Sequence, residues 1–134
     1  MRVIIAEACG FCYGVRRAVD LAAEAVAGTH TLGPIIHNPQ VVGALAERGV
    51  SPVHSLDEVA DRSKILIRSH GVGPAVYRQA EAKRLELVDA TCPHVKKAQY
   101  DAQKVIEEGI PLIIIGEKTH PEVISISQWG GNNL

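Results

Sequence analysis

The chain has 134 residues, of which 46% are hydrophobic and 22% are charged, and its formal net charge is −1. This composition is typical of a globular protein that buries a core, and the near-neutral charge gives no electrostatic basis for binding nucleic acid or an anionic membrane. Its apolar runs are too short to span a bilayer, and no signal peptide is recognisable. Three cysteines in such a chain predict metal-binding or redox thiols in the cytoplasm rather than a disulfide scaffold.

Apolar, β-branched runs alternate along the chain with segments of helical periodicity. Strands are predicted over residues 2–6, 31–36, 50–53, 64–68, 86–89 and 112–115. Helices are predicted over residues 15–28, 38–49, 75–83 and 91–109 and from residue 120 onward, with a short helical turn capped by Ser55 and a turn-rich segment at residues 128–134. This alternation indicates βαβ units, and therefore an α/β fold built around a parallel sheet.

Five residues with metal-binding or anion-binding side chains occupy the same kind of position, after a predicted strand and before a helix. They are Cys12, His37, His70, Cys92 and His120. Such loops lie together at the carboxyl edge of a parallel sheet, where ligands bind. Proline opens four of the helices that follow, so these side chains lie at helix N-termini, which favour anions and thiolates. We therefore predict one electropositive cleft, and we interpret His30, His54 and His94 as surface or capping residues.

Three chemistries fit the thiols. Cys9 and Cys12 have the spacing of a thioredoxin-like dithiol, although the downstream histidine and cysteine loops are superfluous for that activity. A zinc site made from Cys9, Cys12, Cys92 and one histidine would leave the remaining histidines unexplained. An iron–sulfur cluster held by thiolates, with histidines around a bound anionic substrate, uses most of these residues.

Five motifs in order carry a resemblance to a known family. They are Gly10-Phe11-Cys12-x-Gly14-Val15-x-Arg17-Ala18-Val19, His37-Asn38-x-x-Val41-Val42, Ser69-His70-Gly71-Val72, Asp89-Ala90-Thr91-Cys92-Pro93 and His120-Pro121-Glu122-Val123. Together they resemble the LytB-type 4-hydroxy-3-methylbut-2-enyl diphosphate reductases, which end the non-mevalonate isoprenoid pathway. The resemblance implies three similar α/β domains around a central 4Fe-4S cluster.

The resemblance also implies a role for single residues. Cys12 and Cys92 match two of the three cluster ligands, and Glu122 matches the acid that donates a proton. The residues that match the lining of the substrate's diphosphate and hydroxyl are His37, His70 and His120. The implied reaction is a two-electron reductive dehydroxylation of an allylic diphosphate to isopentenyl and dimethylallyl diphosphates, with electrons from a ferredoxin-type or flavodoxin-type donor.

The chain departs from the family pattern in length and in detail. The family enzyme is about twice as long, and its third cysteine ligand lies beyond the residues present here. We therefore expect a first α/β domain over residues 1–92 and the beginning of a second over residues 93–134, with the strand in residues 1–8 belonging to a missing third domain. Surfaces left uncovered in this way predict self-association.

Two further positions, Cys9 and Ser125, bear on the site. Cys9 is a candidate third thiolate, since a tight loop brings residues three apart to one cluster. Ser125 stands where the family usually has a glycine. Two other functions stay open: a diphosphate-binding fragment without catalytic activity, and a dithiol oxidoreductase that uses Cys9 and Cys12.

Overall fold

Four parallel strands form the centre of the protein in a computed structural model, which describes residues 1–7 and 9–131. The strands are β1 (His30–Leu32), β2 (Ser51–Val53), β3 (Lys64–Ile67) and β4 (Glu86–Asp89), in the sheet order β2-β1-β3-β4. In register, His30 lies opposite Ser51 on one side and Ile65 on the other, and Lys64 lies opposite Glu86. The predicted α/β fold with a parallel sheet is confirmed.

The helices begin where local sequence chemistry predicts. They are α1 (Tyr13–Ala23), α2 (Pro39–Glu47), α3 (Pro74–Ala82), α4 (Pro93–Glu107) and α5 (Pro121–Trp129), with a 3₁₀ turn at Leu56–Glu58. Proline suits the first position of a helix because its φ is already helical and no N–H is needed there. Asn38 caps α2 by accepting a hydrogen bond of 3.1 Å from the Val41 amide. Ser55 and Glu58 form a capping box on the 3₁₀ turn.

The sheet is buried on both faces, as is usual when helices cover a parallel sheet. The side chains of Ile65, Leu66 and Ile67 in β3 are all 0% exposed. Leu66 packs against α1 and α2 in one hydrophobic cluster. The buried members of this cluster are Ala18, Ala22, Ile35, Ile36, Leu45, Val50, Leu66 and Ala90. Ile65 and Ile67 pack into the opposite cluster with α3 and the 3₁₀ turn, whose members are Leu32, Val53, Leu56, Val59, Ile65, Ile67, Val72 and Ala80. The carboxyl ends of the strands therefore form one fixed edge.

Two predicted strands are absent from the structure. Residues 2–6 and 112–115 form no strand, and their largest side chains are exposed, with Ile4 at 77% and Ile115 at 96%. A strand forms only when another strand accepts its backbone hydrogen bonds. Neither segment pairs with an edge of the four-stranded sheet. Both predictions were therefore wrong for this chain.

Smaller corrections concern element ends. Helix α1 ends at Ala23, so Val26 is 68% exposed rather than part of its apolar face, and β1 ends at Leu32 rather than at residue 36. Gln128 and Trp129 are helical, although their surroundings have turn composition. Gly130 and Gly131 form a turn as predicted, and residues 132–134 of that segment lie outside the described residues. Within the described residues, no helix is long and apolar enough to cross a membrane.

Candidate functional site

Three histidines meet at the carboxyl edge of the sheet. The ring centroids of His37 and His70 are 4.4 Å apart, and the His120 ring lies 5.8 Å from His37 and 5.6 Å from His70. One ring nitrogen from each histidine lies within 4.8 Å of the other two. We call these residues the histidine triad. The structure thus brings together the three histidines that the sequence placed in one cleft.

Backbone hydrogen bonds join the loops that carry these side chains. The Ser69 amide and hydroxyl both donate to the carbonyl of Ile35, at 3.2 and 3.1 Å, which ties the His70 loop to the segment before His37. The Cys92 amide donates to the Ser69 carbonyl at 2.9 Å. The loops after β1, β3 and β4 are therefore linked in a row, and the Cys92 loop lies next to the His70 loop.

His120 belongs to the triad because helix α5 begins beside the His70 loop. His120 is the N-cap of α5, and its Nδ1 accepts a hydrogen bond of 3.3 Å from the Glu122 amide. An acceptor Nδ1 carries no proton, so the neutral ring holds its proton on Nε2 and can donate it. The Trp129 indole N–H donates to the Val72 carbonyl at 2.9 Å and fixes the other end of α5.

The protonation of His70 is controlled by its surroundings. Burial, followed by the charges of His37, Arg68 and His120, lowers its pKa to about 4. At neutral pH this imidazole is therefore uncharged. Its Nδ1 is buried and has no hydrogen-bond partner in the part of the chain that the structure describes. A ligand with oxygen acceptors would supply the missing partner, and a negative charge on that ligand would favour protonation of the ring.

The triad suits an anion better than a metal ion. A histidine binds a metal through a ring-nitrogen lone pair, while its other nitrogen donates a proton to a neighbouring group. In His120 the lone pair of Nδ1 is already engaged by the Glu122 amide, and Nε2 carries the proton. His120 therefore presents an N–H donor, which matches a phosphate oxygen.

Two thiols lie at the starts of adjoining helices. Cys12 is the N-cap of α1 and Cys92 is the N-cap of α4, and neither side chain caps its helix by a hydrogen bond. Gly14 packs directly on Cys92: a Cβ on this glycine would overlap the Cys92 Sγ and lie 2.9 Å from its Cβ. Cys12 is exposed, Cys92 is half-buried, and both are free thiols.

Arg17 and Asp89 hold the two thiol loops together. The Arg17 guanidinium donates to the carbonyls of Thr91 and Asp89, at 3.3 and 3.1 Å, and so fixes α1 to the loop before α4. The Asp89 carboxylate accepts hydrogen bonds from the Thr91 amide and the Tyr77 hydroxyl, both at 2.9 Å, and pairs with Lys96. Burial alone would raise the pKa of Asp89, but these hydrogen bonds lower it below its usual value, so the carboxylate stays charged.

The donor set fits part of an iron–sulfur site. Two thiols at helix N-termini, one of them packed against a glycine, are ligands of the type that iron–sulfur clusters use. Cys9 is exposed and lies in an irregular segment. Among residues 1–7 and 9–131, the histidine triad is the one group of three or more metal-ligating side chains whose ligand atoms converge. The zinc site that the sequence left open, from three cysteines and a histidine, is therefore not assembled in this structure.

Glu122 lies in the first turn of α5, directly after the triad residue His120. Its side chain is half-buried and makes no hydrogen bond or ion pair with the residues described. A carboxyl group in that position is free to exchange a proton with a ligand held by the triad.

A buried network attaches α5 to the His70 loop. The Ser125 hydroxyl is 1% exposed and donates to the carbonyls of His70 and Glu122, both at 2.9 Å. It also accepts a hydrogen bond of 3.2 Å from the Gln99 amide on α4. The serine that departs from the family pattern thus connects α4, α5 and the His70 loop.

Replacement of Ser125 by alanine is expected to lower the free energy of unfolding by about 1–3 kcal/mol, because two buried polar groups lose their partner. In the Ser125→Ala background, Gln99→Leu should then lower the free energy of unfolding by less than it does in the unchanged protein. In a double-mutant cycle we expect a coupling energy of about 0.5–3 kcal/mol. Urea unfolding of the four proteins measures it, and simple additivity would show that the two side chains act independently.

Fold and site together define an α/β protein whose sheet edge carries a cluster of three histidines and two free thiols at helix N-termini. A sequence profile described as LytB protein matches residues 3–134 of the chain. The chain belongs to the LytB protein family.

Individual relatives agree with this assignment. The chain is 48% identical over 137 residues to the 4-hydroxy-3-methylbut-2-enyl diphosphate reductase of Pelobacter propionicus, covering 100% of this chain and 49% of the relative. It is 41% identical over 136 residues to the protein of the same name from Caldanaerobacter subterraneus, covering 96% and 47%. The chain spans about half the length of the curated relatives it matches.

Solved structures show the same likeness. The E-1-hydroxy-2-methyl-but-2-enyl-4-diphosphate reductase from Plasmodium falciparum superimposes with a TM-score of 0.88 at 32% identity, covering 91% of this chain and 40% of that one. A second reductase structure, described as the terminal enzyme of the non-mevalonate pathway, has a TM-score of 0.81 at 43% identity, covering 95% and 46%.

Proposed function

We propose that this chain forms the substrate-binding part of a 4-hydroxy-3-methylbut-2-enyl diphosphate reductase. The observation that carries the proposal is the convergence of His37, His70 and His120, with centroids 4.4 to 5.8 Å apart, beside two free thiols. Family membership and the names of the matched relatives supply the substrate: an allylic diphosphate that carries a hydroxyl group.

In this proposal the histidines hold the diphosphate. The rings of His120 and His70 lie edge-to-face with centroids 5.6 Å apart, and neither takes part in a salt bridge among the residues described, so an oxyanion beside them displaces no existing ion pair. Glu122, next to His120, donates the proton that lets the hydroxyl leave as water. The overall change consumes two electrons and two protons: the C–O bond breaks, a C–H bond forms, and one water is released.

The thiols hold the redox group. Cys12 and Cys92 supply two thiolate ligands of a 4Fe-4S cluster, and substitution of Cys9 tests whether that residue supplies a third. When bound, such a cluster supplies electrons and a Lewis-acidic iron. We infer a ferredoxin-type or flavodoxin-type electron donor and a cytoplasmic location, which keeps the thiols reduced.

Two further inferences concern organisation. We infer that residues 1–92 form a first α/β domain and that residues 93–134 begin a second. The exposed apolar side chains Val3, Ile4, Ile5, Ile113 and Ile115 support self-association of this chain, because such surface is stabilised by burial. Sedimentation as a monomer at all concentrations would contradict that inference.

Diphosphate binding is expected to raise the pKa of His70, which is about 4 in the free protein because of burial. Below pH 6.5 the free protein loses stability as the pH falls towards 4, since the folded state resists protonation of this ring more than the unfolded state does. A bound anion weakens that resistance to protonation, so we expect the midpoint to rise by about one pH unit or more.

The NMR titration of the His70 ring protons, with and without saturating inorganic diphosphate, measures this shift. His94 is an internal control because it is exposed on α4 and lies outside the triad. An unchanged His70 midpoint would show that the triad does not hold the anion.

A further inference from the structure

A second cavity lies at the same edge of the sheet but is separate from the triad. Its volume is about 370 Å³, and none of the three triad histidines lines it. Its walls come from the loops after β1, β2 and β3, from the first turns of α3 and from one face of α5. Small-molecule sites usually have volumes of about 300–1,000 Å³. The cavity is therefore large enough for a small ligand.

Arg68 is the one cation in the cavity wall whose charge has no partner among the residues described. Its guanidinium lies against Gly33, where a Cβ would come within 2.7 Å of Nη1, and Gly33 has a φ of +71°. The Arg68 Nε is buried without a hydrogen-bond partner, and burial lowers the pKa of this group from its ordinary value. A guanidinium remains charged in proteins, so its desolvation is unfavourable unless an anion compensates.

The walls of the cavity contain no Asp or Glu. Two acids of the same loops contact wall residues. Asp57 accepts hydrogen bonds from Ser55 Oγ at 3.1 Å and from Gln79 Nε2 at 2.9 Å, and Glu58 accepts from the amides of His54 and Ser55 at 2.9 and 2.8 Å. Ser55 and Gln79 line the cavity, so Asp57 lies near its rim. A negative charge at the rim disfavours ligands that carry several negative charges. The planar Arg68 guanidinium remains available for a single carboxylate.

Apolar side chains make up much of the remaining wall, among them Leu32, Leu56, Val72, Val76 and Ile124. Apolar walls favour a ligand with a hydrocarbon part. We propose that the Arg68 cavity binds a small organic carboxylate with a short, branched or linear hydrocarbon chain. The carboxylate pairs with the Arg68 guanidinium, and the chain lies against the apolar wall.

Isovalerate is the probe for this site, added to the ¹⁵N-labelled 134-residue chain. We expect a saturable shift of the Arg68 Nε–H resonance, and calorimetry should give at least a tenfold loss of affinity in Arg68→Met. Arg78→Met is the matched control: Arg78 is exposed on α3 and does not line the cavity, and this variant should bind isovalerate like the unchanged protein. Arg68→Lys keeps the charge without the planar fork and should fall between the two.

The outcomes separate this site from the triad. A variant carrying both His37→Asn and His120→Asn should still bind isovalerate, whether or not it binds diphosphate. If the unchanged protein shows no shift at about 10 mM isovalerate, its affinity is weaker than that of ordinary small-molecule sites. That result would overturn the proposal even if Arg68→Met failed to fold. In the His37→Asn/His120→Asn variant, a shift of the Arg68 resonance with inorganic phosphate or diphosphate and none with isovalerate would overturn the carboxylate assignment.

Discussion

The substitution Gly14→Ala is expected to displace Cys92 and to lower the free energy of unfolding by roughly 1–3 kcal/mol, the usual cost of overpacking. A Cβ at this position would overlap the Cys92 Sγ and lie 2.9 Å from the Cys92 Cβ. Neither helix can withdraw easily, because Arg17 ties α1 to the carbonyls of Asp89 and Thr91. The sulfur must therefore rotate away or the helix must shift, and either movement changes the position of the Cys92 sulfur.

Gly43→Ala is the matched control for this substitution. Gly43 is also helical, and a Cβ there meets nothing within 4 Å, so alanine should be neutral or stabilising by about 0.5–1 kcal/mol. Urea unfolding measures the free energies, and the rate of reaction with a thiol reagent reports the exposure of Cys92. Equal stability and equal thiol reactivity in the two variants would show that the contact between Gly14 and Cys92 does not position the sulfur.

Loss of either Cys12 or Cys92 is expected to remove most of the iron and sulfide that the chain acquires on anaerobic reconstitution. Serine keeps the size of the side chain but replaces the thiolate that iron–sulfur clusters require. Iron and acid-labile sulfide per chain are measured for each variant, together with the brown colour of the reconstituted protein. Retention of full iron by both variants would exclude these two residues as ligands.

Cys9→Ser serves as the third member of this series. Cys9 is exposed, and its sulfur does not converge with the other two cysteines in the structure. We therefore expect unchanged iron and sulfide in this variant. A loss equal to that of Cys92→Ser would identify Cys9 as the third thiolate and would require residues 9–12 to rearrange around the metal.

Local chemistry made much of the fold predictable. A strand was predicted over residues 64–68 because its apolar centre fits a strand buried on both faces, and the structure has this strand at Lys64–Ile67. The starts of α2, α4 and α5 were predicted because proline occupies their first position, after residues that commonly begin helices. These signals lie within a few residues of one another, so they can be read without knowledge of the rest of the protein.

Predictions failed where distant residues decide the structure. Residues 2–6 and 112–115 have strand composition, but composition does not show whether a neighbouring strand is present to pair with them. Trp129 stands in a segment of turn composition, yet it is helical, and its indole N–H donates to Val72, 57 residues earlier. No short motif carries information about such contacts.

The candidate site, like the fold, was predictable only where local sequence decides the structure. The positions of the three histidines and the two cysteines at helix starts were predictable, because strand–helix alternation brings such loops to one edge. The supports of the site were not predicted: Arg17 and Gly14 appeared only as members of a motif. Ser125 appeared only as a departure from a family pattern, although it bonds residues 26 and 55 positions away. A buried polar side chain reveals its role only when its partners are known.

The measurement that tests the proposed function most directly is a calorimetric titration of the chain with inorganic diphosphate. We expect one site per chain, and we expect the double variant His37→Asn/His120→Asn to bind at least about 100-fold more weakly, since each hydrogen bond to a charged group contributes about 1.5–3 kcal/mol. His94→Asn, a change at an exposed histidine on α4, should leave the affinity unchanged. Equal affinity in the double variant and the unchanged protein would contradict the assignment of the histidine triad as the diphosphate site.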